Sequence, residues 1–482
     1  QEVEQMNLFK DMVCYQEEVR DPSRMAEVLN RVIEKAFRGS APAQINVPRD
    51  YWTQVIDIDL PPIVRFERQG GGKKAIDEAA KILSNAKFPV ILSGAGVVIG
   101  NAIEDCKKLA EKLDAPVCNG YQHNDSFPGN HPLAVGPLGY NGSKAAMELI
   151  SKADVVLALG TRLNPFSTLP GYGIDYWPKN ATIIQVDMNP DRIGLTKKVT
   201  VGICGDAKLV SQQILEKLSS NAGDNGREDR KNLIHQTKSS WLQTLTSLDH
   251  EDDDPGTVWN KEARERDKER MSPRQAWRAI QAGMPDDVII SSDIGNNCAI
   301  GNAYPTFEKG RKYLAPGLFG PCGYGFPSIL GAKIGCPDTP VIGFAGDGAF
   351  GISMNEMSSC ARKEWPSITM VIFRNYQWGA EKRNSILWFD DNFVGTELDP
   401  ELSYAKVATA CGLKGVTVKT MEETTSAIKQ SCLDQKKGIT TFIEVILNQE
   451  LGEPFRRDAM KKPVKVAGIN TKDMRPQILK NG

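Results

Sequence analysis

The chain has 482 residues, 40% hydrophobic and 25% charged, the balance of a globular protein with about three domains. Lysine and arginine total 59 against 60 aspartates and glutamates, a net charge of −1, so no general basic field exists to hold nucleic acid or an anionic membrane. No apolar run reaches the roughly 18 residues of a membrane span, and the 10 cysteines, scattered without a C-x-x-C pair, fit reduced thiols in a cytoplasm better than zinc or disulfides.

The chain opens on "QEVEQMNLF" without methionine, and a fragment whose true start lies upstream is expected. Residues 1–60 close on the strand-like run "AQINVPRDYW" (Ala43 to Trp52) and read as the tail of a domain. Pro61-Pro62 and "GGGKK" (Gly70 to Lys74) then interrupt any helix. Over 74–218 the period alternates. Ile76, Ala79, Ala80 and Leu83 are helically spaced, "FPVILSGAG" reads as a buried strand, "AIEDCKKLAEKL" as a helix, and "ADVVLALGTR" and "ATIIQVDMNP" as further strands. That alternation predicts a parallel sheet between helices. "GAGVVIG" (Gly94 to Gly100) lacks the G-x-G-x-x-G spacing, and neither FAD nor another nucleotide is expected there. Residues 219–271, with "DHEDDDPG" and "KEARERDKER", read as a solvated linker helix of mixed charge. Ser272-Pro273 offers an N-cap and a first-turn proline. After it, "DVIISSDIG", "PVIGFAGDG", "ITMVIFRN" and "TTFIEVIL" predict another parallel domain over 272–448, followed by a basic tail, 449–482. The expected fold class is α/β, with three doubly wound parallel-sheet domains, the first only partly present.

Chemistry concentrates after "PVIGFAGDG". An Asp-Gly pair at a strand end is commonly a turn that needs positive φ. Here a helix is expected from Ser353, whose spacing to Glu356 is that of a capping box, and "ITMVIF" leads to Asn375. In a βαβ unit both strand ends lie on the ligand-binding edge, so Asp347 and Asn375 become neighbours there. Two hard oxygens with one formal charge suit Mg²⁺ shared with phosphates, while Gly346 and Gly348 permit close backbone approach.

This spacing resembles the diphosphate-binding signature of the thiamine-diphosphate enzymes, specifically the acetolactate synthase and pyruvate oxidase group. The resemblance implies Asp347, Asn375 and the Gln377 carbonyl as Mg²⁺ ligands. "SDIGNN" is similar to the loop touching the diphosphate, and "GPCGYGFPSILGAKIGCPDTPV" to the segment entering the same strand. The cofactor set so implied is Gly295, Asn296, Asn297, Gly320, Cys322, Gly346, Asp347, Gly348, Ala349, Asn375, Gln377, Trp378, Gly379 and Ala380. Cys322 stands where acetolactate synthases usually carry methionine; an ordinary buried cysteine is the alternative. By the same resemblance residues 1–60 end a pyrimidine-binding domain, Gln1 lies near the reactive carbon, and the activating glutamate belongs upstream.

"GLFGPCGYGFP", "RNYQWGAEKRNS" and "LGEPFRRDAMKKPVKVAGI" are similar to one subgroup, in which an aldehyde sulfonate and inorganic phosphate yield sulfite and acetyl phosphate. Two anions then need donors: Lys382, Arg383, Arg456 and Arg457 are the candidates, with solvated surface charge as the alternative. His123 is expected to move a proton near neutral pH and Glu381 to line the pocket; packed or solvated roles remain open for both. A homodimer or homotetramer is implied, without nucleic-acid or membrane partners. Other readings are an acetolactate synthase, an oxo-acid decarboxylase or an acyl-CoA lyase, or a homologue that binds the cofactor without turnover.

Overall fold

The computed structural model describes residues 2–62, 67–248, 267–317, 319–362, 364–388 and 393–450. It divides into two compact units, 1–67 and 68–482. In the first, strands β1 (Tyr15–Glu18) and β2 (Ala43–Asn46) pair in parallel, joined by the helix Met25–Gly39, whose Val28 and Val32 pack with Val19.

The second unit contains two six-stranded parallel sheets. One uses β3 (Pro89–Ser93), β4 (Val117–Asn119), β5 (Ala134–Pro137), β6 (Val155–Leu159), β7 (Thr182–Asp187) and β8 (Val201–Cys204) in the order β5-β4-β3-β6-β7-β8. Where that order reverses, between β3 and β6, an open sheet usually receives a ligand. Here the two strand-end loops meet backbone to backbone: Gly96 N donates to Gly160 O at 2.8 Å, and a Cβ at Gly96 would lie 2.7 Å from the Gly160 Cα. The glycines of "GAGVVIG" thus serve packing between two loops.

The other sheet takes β9 (Ile289–Ser292), β10 (Tyr313–Leu314), β11 (Val341–Gly346), β12 (Thr369–Arg374), β13 (Lys414–Val418) and β14 (Thr441–Ile446) in the order β10-β9-β11-β12-β14-β13. Its strands are covered on both faces, which is why they read as unbroken apolar runs. Ile342, Phe344, Val371 and Phe373 face one core, and Val341, Ala345, Met370 and Ile372 the other. The helix Pro273–Gly283 starts as expected, with Ser272 and Gln275 forming a reciprocal capping box.

Two expectations are corrected. The linker 219–271 is not free along its length: the helix Arg227–Leu248 docks on the first sheet's domain. Its Arg230, 1% exposed, donates to the carbonyls of Lys87, Leu113, Asp114, Gly223 and Asn225 at 2.6–3.1 Å. Two of the five, Leu113 and Asp114, are offered because the helix Ile103–Leu113 ends at that point with unsatisfied oxygens. Polarity in the sequence suggested solvent, but the donors face the protein. Second, no capping box forms at Ser353. The helix begins at Asp347 itself, directly after β11, with Gly346 as N-cap at φ −68°. Neither Gly346 nor Gly348 has positive φ, so this is no Asp-Gly turn.

Candidate active site

At the carboxyl ends of β9, β11 and β12 lies a cavity of about 50 Å³. Residues Gly346 to Ala349, Asn375 and Gln377 to Glu381 line it, with Ile294, Gly295, Asn296 and Cys322 completing its wall. Gly320 lies beside this wall at φ +66°, with a projected Cβ 3.8 Å from Ile294. Asn297 belongs to the helix Asn296–Gly301. Ile294, which sequence reasoning passed over, was signalled only by its place inside "SDIGNN".

Asp347 is 1% exposed, and its carboxylate is held from three sides. Oδ2 accepts from Tyr376 N at 2.7 Å and Arg374 Nη1 at 3.1 Å, while Oδ1 accepts from Gly348 N at 3.0 Å. Burial pushes this carboxyl up to about 6 despite the opposing pull of Arg374 and the two amides. Arg374 is itself 1% exposed at the end of β12; its Nε sits 3.7 Å from Glu444 Oε1, and Nη2 donates to the Leu402 and Asp399 carbonyls. Sequence reasoning missed both Arg374 and Glu444, which resemble ordinary strand residues until β12 and β14 are paired at Ile372↔Glu444.

Tyr376 sits at φ +62°, uncommon for a residue with a bulky side chain. Its ring lies 4.2 Å from the Arg374 guanidinium and 4.9 Å from that of Arg270. Gln377 forms an isolated antiparallel bridge with Glu397, in which Leu398 N donates to Tyr376 O at 2.9 Å and Trp378 N to Thr396 O at 2.8 Å. This pattern engages the residues flanking Gln377 and leaves its own carbonyl outside the ladder. The loop is further tied by Gln449, whose Nε2 donates to Asn375 O at 3.3 Å and whose carbonyl accepts from Gln377 Nε2 at 3.1 Å.

The cavity suits a charged, phosphate-bearing group with a hard cation. Asn296 is 4% exposed, yet neither Nδ2 nor Oδ1 has a hydrogen-bond partner among the described residues. Its orphaned amide faces Gly379, where an added Cβ would approach Nδ2 to 3.0 Å. A carboxylate, an amide and a carbonyl make a one-charge oxygen set of the kind that binds Mg²⁺ together with phosphate. Gly346 opens into free space, but Gly348 does something the sequence did not suggest: a Cβ there would lie 2.8 Å from the Trp378 ring. It permits indole packing.

The remaining candidates divide. Glu381 joins the cavity and is exposed. Lys382, one residue on, is 1% exposed and forms an ion pair with Glu397, so it is committed within the loop. Arg383 is half-buried in the same helix, Gly379–Trp388. Gln1, Arg456 and Arg457 lie outside the described residues. His123 does not line the cavity. It precedes Asn124, whose amide donates to the carbonyls of Asn302 and Pro305 at 2.7 and 3.0 Å, anchoring this loop to the second sheet's domain. Burial lowers the His123 imidazole to about 4, which favours the neutral ring at pH 7. Cys322 is exposed rather than buried. Partial desolvation, then the charges of Asp293 and Glu381, raise its thiol.

Residues 76–217 match the family of thiamine pyrophosphate enzyme central domains, and residues 293–445 the C-terminal thiamine pyrophosphate binding domain of the same enzymes. A benzoylformate decarboxylase from Polynucleobacter necessarius shares the fold, with a TM-score of 0.72 at 20% identity over 93% of this chain and 78% of its own. Fold, cavity and family matches together define a thiamine pyrophosphate (thiamine diphosphate) enzyme. Among relatives, a probable sulfoacetaldehyde acetyltransferase of Rhizobium meliloti is 77% identical over 99% of this chain and 81% of its own length. A sulfoacetaldehyde acetyltransferase of Rhodobacter capsulatus is 68% identical over the same shares. A probable acetolactate synthase large subunit of Methanococcus aeolicus is 28% identical over 89% of this chain and 72% of its own. The chain belongs to the sulfoacetaldehyde acetyltransferase family. Among the described residues no helix is long and apolar enough to cross a membrane.

Proposed function

We propose that this protein converts sulfoacetaldehyde and phosphate to acetyl phosphate and hydrogensulfite, with thiamine diphosphate held through Mg²⁺. The two sides balance: the carbon–sulfur and aldehyde carbon–hydrogen bonds break, a proton is returned to the former methylene carbon to make the acetyl methyl, an acetyl–oxygen bond to phosphate forms, and the phosphate proton ends on the departing sulfite. The observation that carries the reading is that Asp347, Asn375 and Gln377 line one cavity beside the orphaned Asn296 amide. The substrate follows from the relatives.

When bound, the cofactor supplies the electron sink for cleavage beside a carbonyl. The chain's own residues then have separable roles. Asp347, Asn375 and Gln377 hold the cation; Asn296 donates to a phosphate oxygen; Trp378 and Ala349 shape the wall, and Cys322 presents a neutral thiol. Arg383, Arg456 and Arg457 are assigned to the sulfonate and phosphate because a guanidinium donates in pairs to such oxygens. Gln1 is assigned near the reacting carbon, and Glu381 to the pocket mouth. His123 acts as a neutral hydrogen-bonding group. The active form is a cytoplasmic homodimer or homotetramer.

The test supplies full-length protein with thiamine diphosphate, Mg²⁺ and sulfoacetaldehyde. Sulfite should appear only when phosphate is present, with equimolar acetyl phosphate. Conversion of pyruvate to acetolactate, without sulfite release from sulfoacetaldehyde, would overturn this reading.

A further inference from the structure

Arg374 occupies an unusual place for a buried cation. It ends β12 immediately before Asn375, lies between the carboxylates of Asp347 and Glu444, and has one face against Tyr376. Glu444 is in turn fixed by Ser403 Oγ at 2.7 Å, Thr417 Oγ1 at 3.2 Å and the Tyr404 amide at 3.2 Å. The Tyr404 hydroxyl donates to Asp347 O at 2.9 Å, so the same cluster grips the backbone of the proposed ligand. The guanidinium is therefore anchored from below by groups that do not reach the cavity.

The consequence falls on the two Asp347 oxygens unequally. Oδ2 carries two donors, Arg374 Nη1 and Tyr376 N, whereas Oδ1 carries only the amide of Gly348. A carboxylate oxygen has about two strong acceptor directions. Oδ2 is consequently filled, and Oδ1 retains one direction for a metal. Mg²⁺ takes carboxylates through one oxygen in a compact octahedron, while Ca²⁺ gains from two-oxygen ligation and a larger shell.

Resting on the cation reading above, we propose that Arg374 is a positioning residue that confines Asp347 to one-oxygen ligation and thereby selects Mg²⁺ over Ca²⁺. It does so twice over, by occupying Oδ2 directly and by stacking beneath Tyr376, whose amide supplies the other donor. Arg374 itself does not line the cavity.

The experiment measures thiamine diphosphate binding to the full-length protein by calorimetry, with Mg²⁺ and then Ca²⁺ as the sole divalent ion. The Mg²⁺/Ca²⁺ affinity ratio should fall at least tenfold in Arg374→Met, because Oδ2 becomes free to join Ca²⁺. Arg374→Lys, which keeps the charge but not the fork, should give an intermediate ratio. Equal weakening with both ions in both variants would mark a merely structural role and overturn the proposal. Should Arg374→Met fail to fold, Arg374→Lys and crystal structures of the wild-type holoenzyme with each ion decide the matter. One Asp347 oxygen on the ion supports the proposal, and both oxygens on Mg²⁺ overturn it. If the wild type binds the cofactor with neither ion, the cation reading fails first and this inference with it. Binding with an unaltered ratio in the variants sinks this inference alone.

Discussion

Replacing Asp347 by asparagine removes one charge while keeping the side chain's shape, and the structure allows the two consequences to be separated. At neutral pH the ionised carboxylate is held in a site that pushes its pKa up to about 6 from 3.8. Keeping it charged in the fold therefore costs about 3 kcal/mol relative to the unfolded chain, at about 1.4 kcal/mol per unit. Asp347→Asn relieves that cost, a net figure that already includes the attraction of Arg374 3.1 Å away, and leaves the guanidinium beside the Glu444 carboxylate at 3.7 Å. The asparagine carbonyl still accepts from Tyr376 N. The variant should therefore fold, with a change in stability of no more than about 2 kcal/mol. Metal binding has no such compensation, since the proposed ligand set contains one carboxylate. Mg²⁺-dependent affinity for thiamine diphosphate should drop at least about 100-fold, equivalent to about 3 kcal/mol. Calorimetric titration at pH 7.5, with thermal unfolding of the unliganded protein alongside, reads both quantities. Wild-type affinity should also weaken on acidification through about 6, as the proton displaces the cation, and the variant should lack that dependence. The sign for the unliganded protein is opposite: the folded carboxyl holds its proton between 3.8 and about 6 when the unfolded one does not, so this group's stability contribution declines as pH rises through that window. Cofactor binding by Asp347→Asn within about threefold of wild type would refute the metal assignment.

Two further outcomes follow from the same geometry. His123 is neutral in the fold down to about 4 but takes a proton at 6.5 when unfolded, so its contribution is fully present above 6.5 and is lost as pH falls through that interval. For a half-buried ring the loss is about 2 kcal/mol; the thermal midpoint of His123→Gln, compared with wild type at pH 7.5 and pH 4.5, should lack it, and parallel shifts in both proteins would refute the assignment. Gly348→Ala places a methyl 2.8 Å from the Trp378 ring, so it should cost about 1–3 kcal/mol and weaken cofactor binding at least about tenfold. Gly346→Ala, with nothing within 4 Å, should leave the unfolding midpoint unchanged; equal destabilisation by both would refute the packing argument.

Much of the architecture was legible because it is local. Apolar runs ending in polar loops mark parallel strands, and the alternation of strand and helix fixes which ends share an edge. That places Gly346 to Ala349 beside Asn375 and Gln377 to Ala380, and the cavity is lined by them. The start of the helix was misread because Ser353 and Glu356 have capping-box spacing, while the chain turns helical directly from β11 at Asp347. Composition likewise made 219–271 look like open linker, although Arg230 buries its guanidinium among five carbonyls, those of Lys87, Leu113 and Asp114 being far away in sequence.

By itself the sequence determined the parallel α/β domains, the motif with its candidate oxygen ligands and the resemblance to thiamine-diphosphate enzymes, since each depends on residue type and short spacing. Only the tertiary structure decided which charges meet. Arg374 lies between Asp347 and Glu444 because β11, β12 and β14 are neighbours in a sheet whose strand order skips β13. Lys382 turns to Glu397, and His123 is stripped of its proton by burial. Coulomb interaction and desolvation depend on distance in space, which sequence separation does not encode.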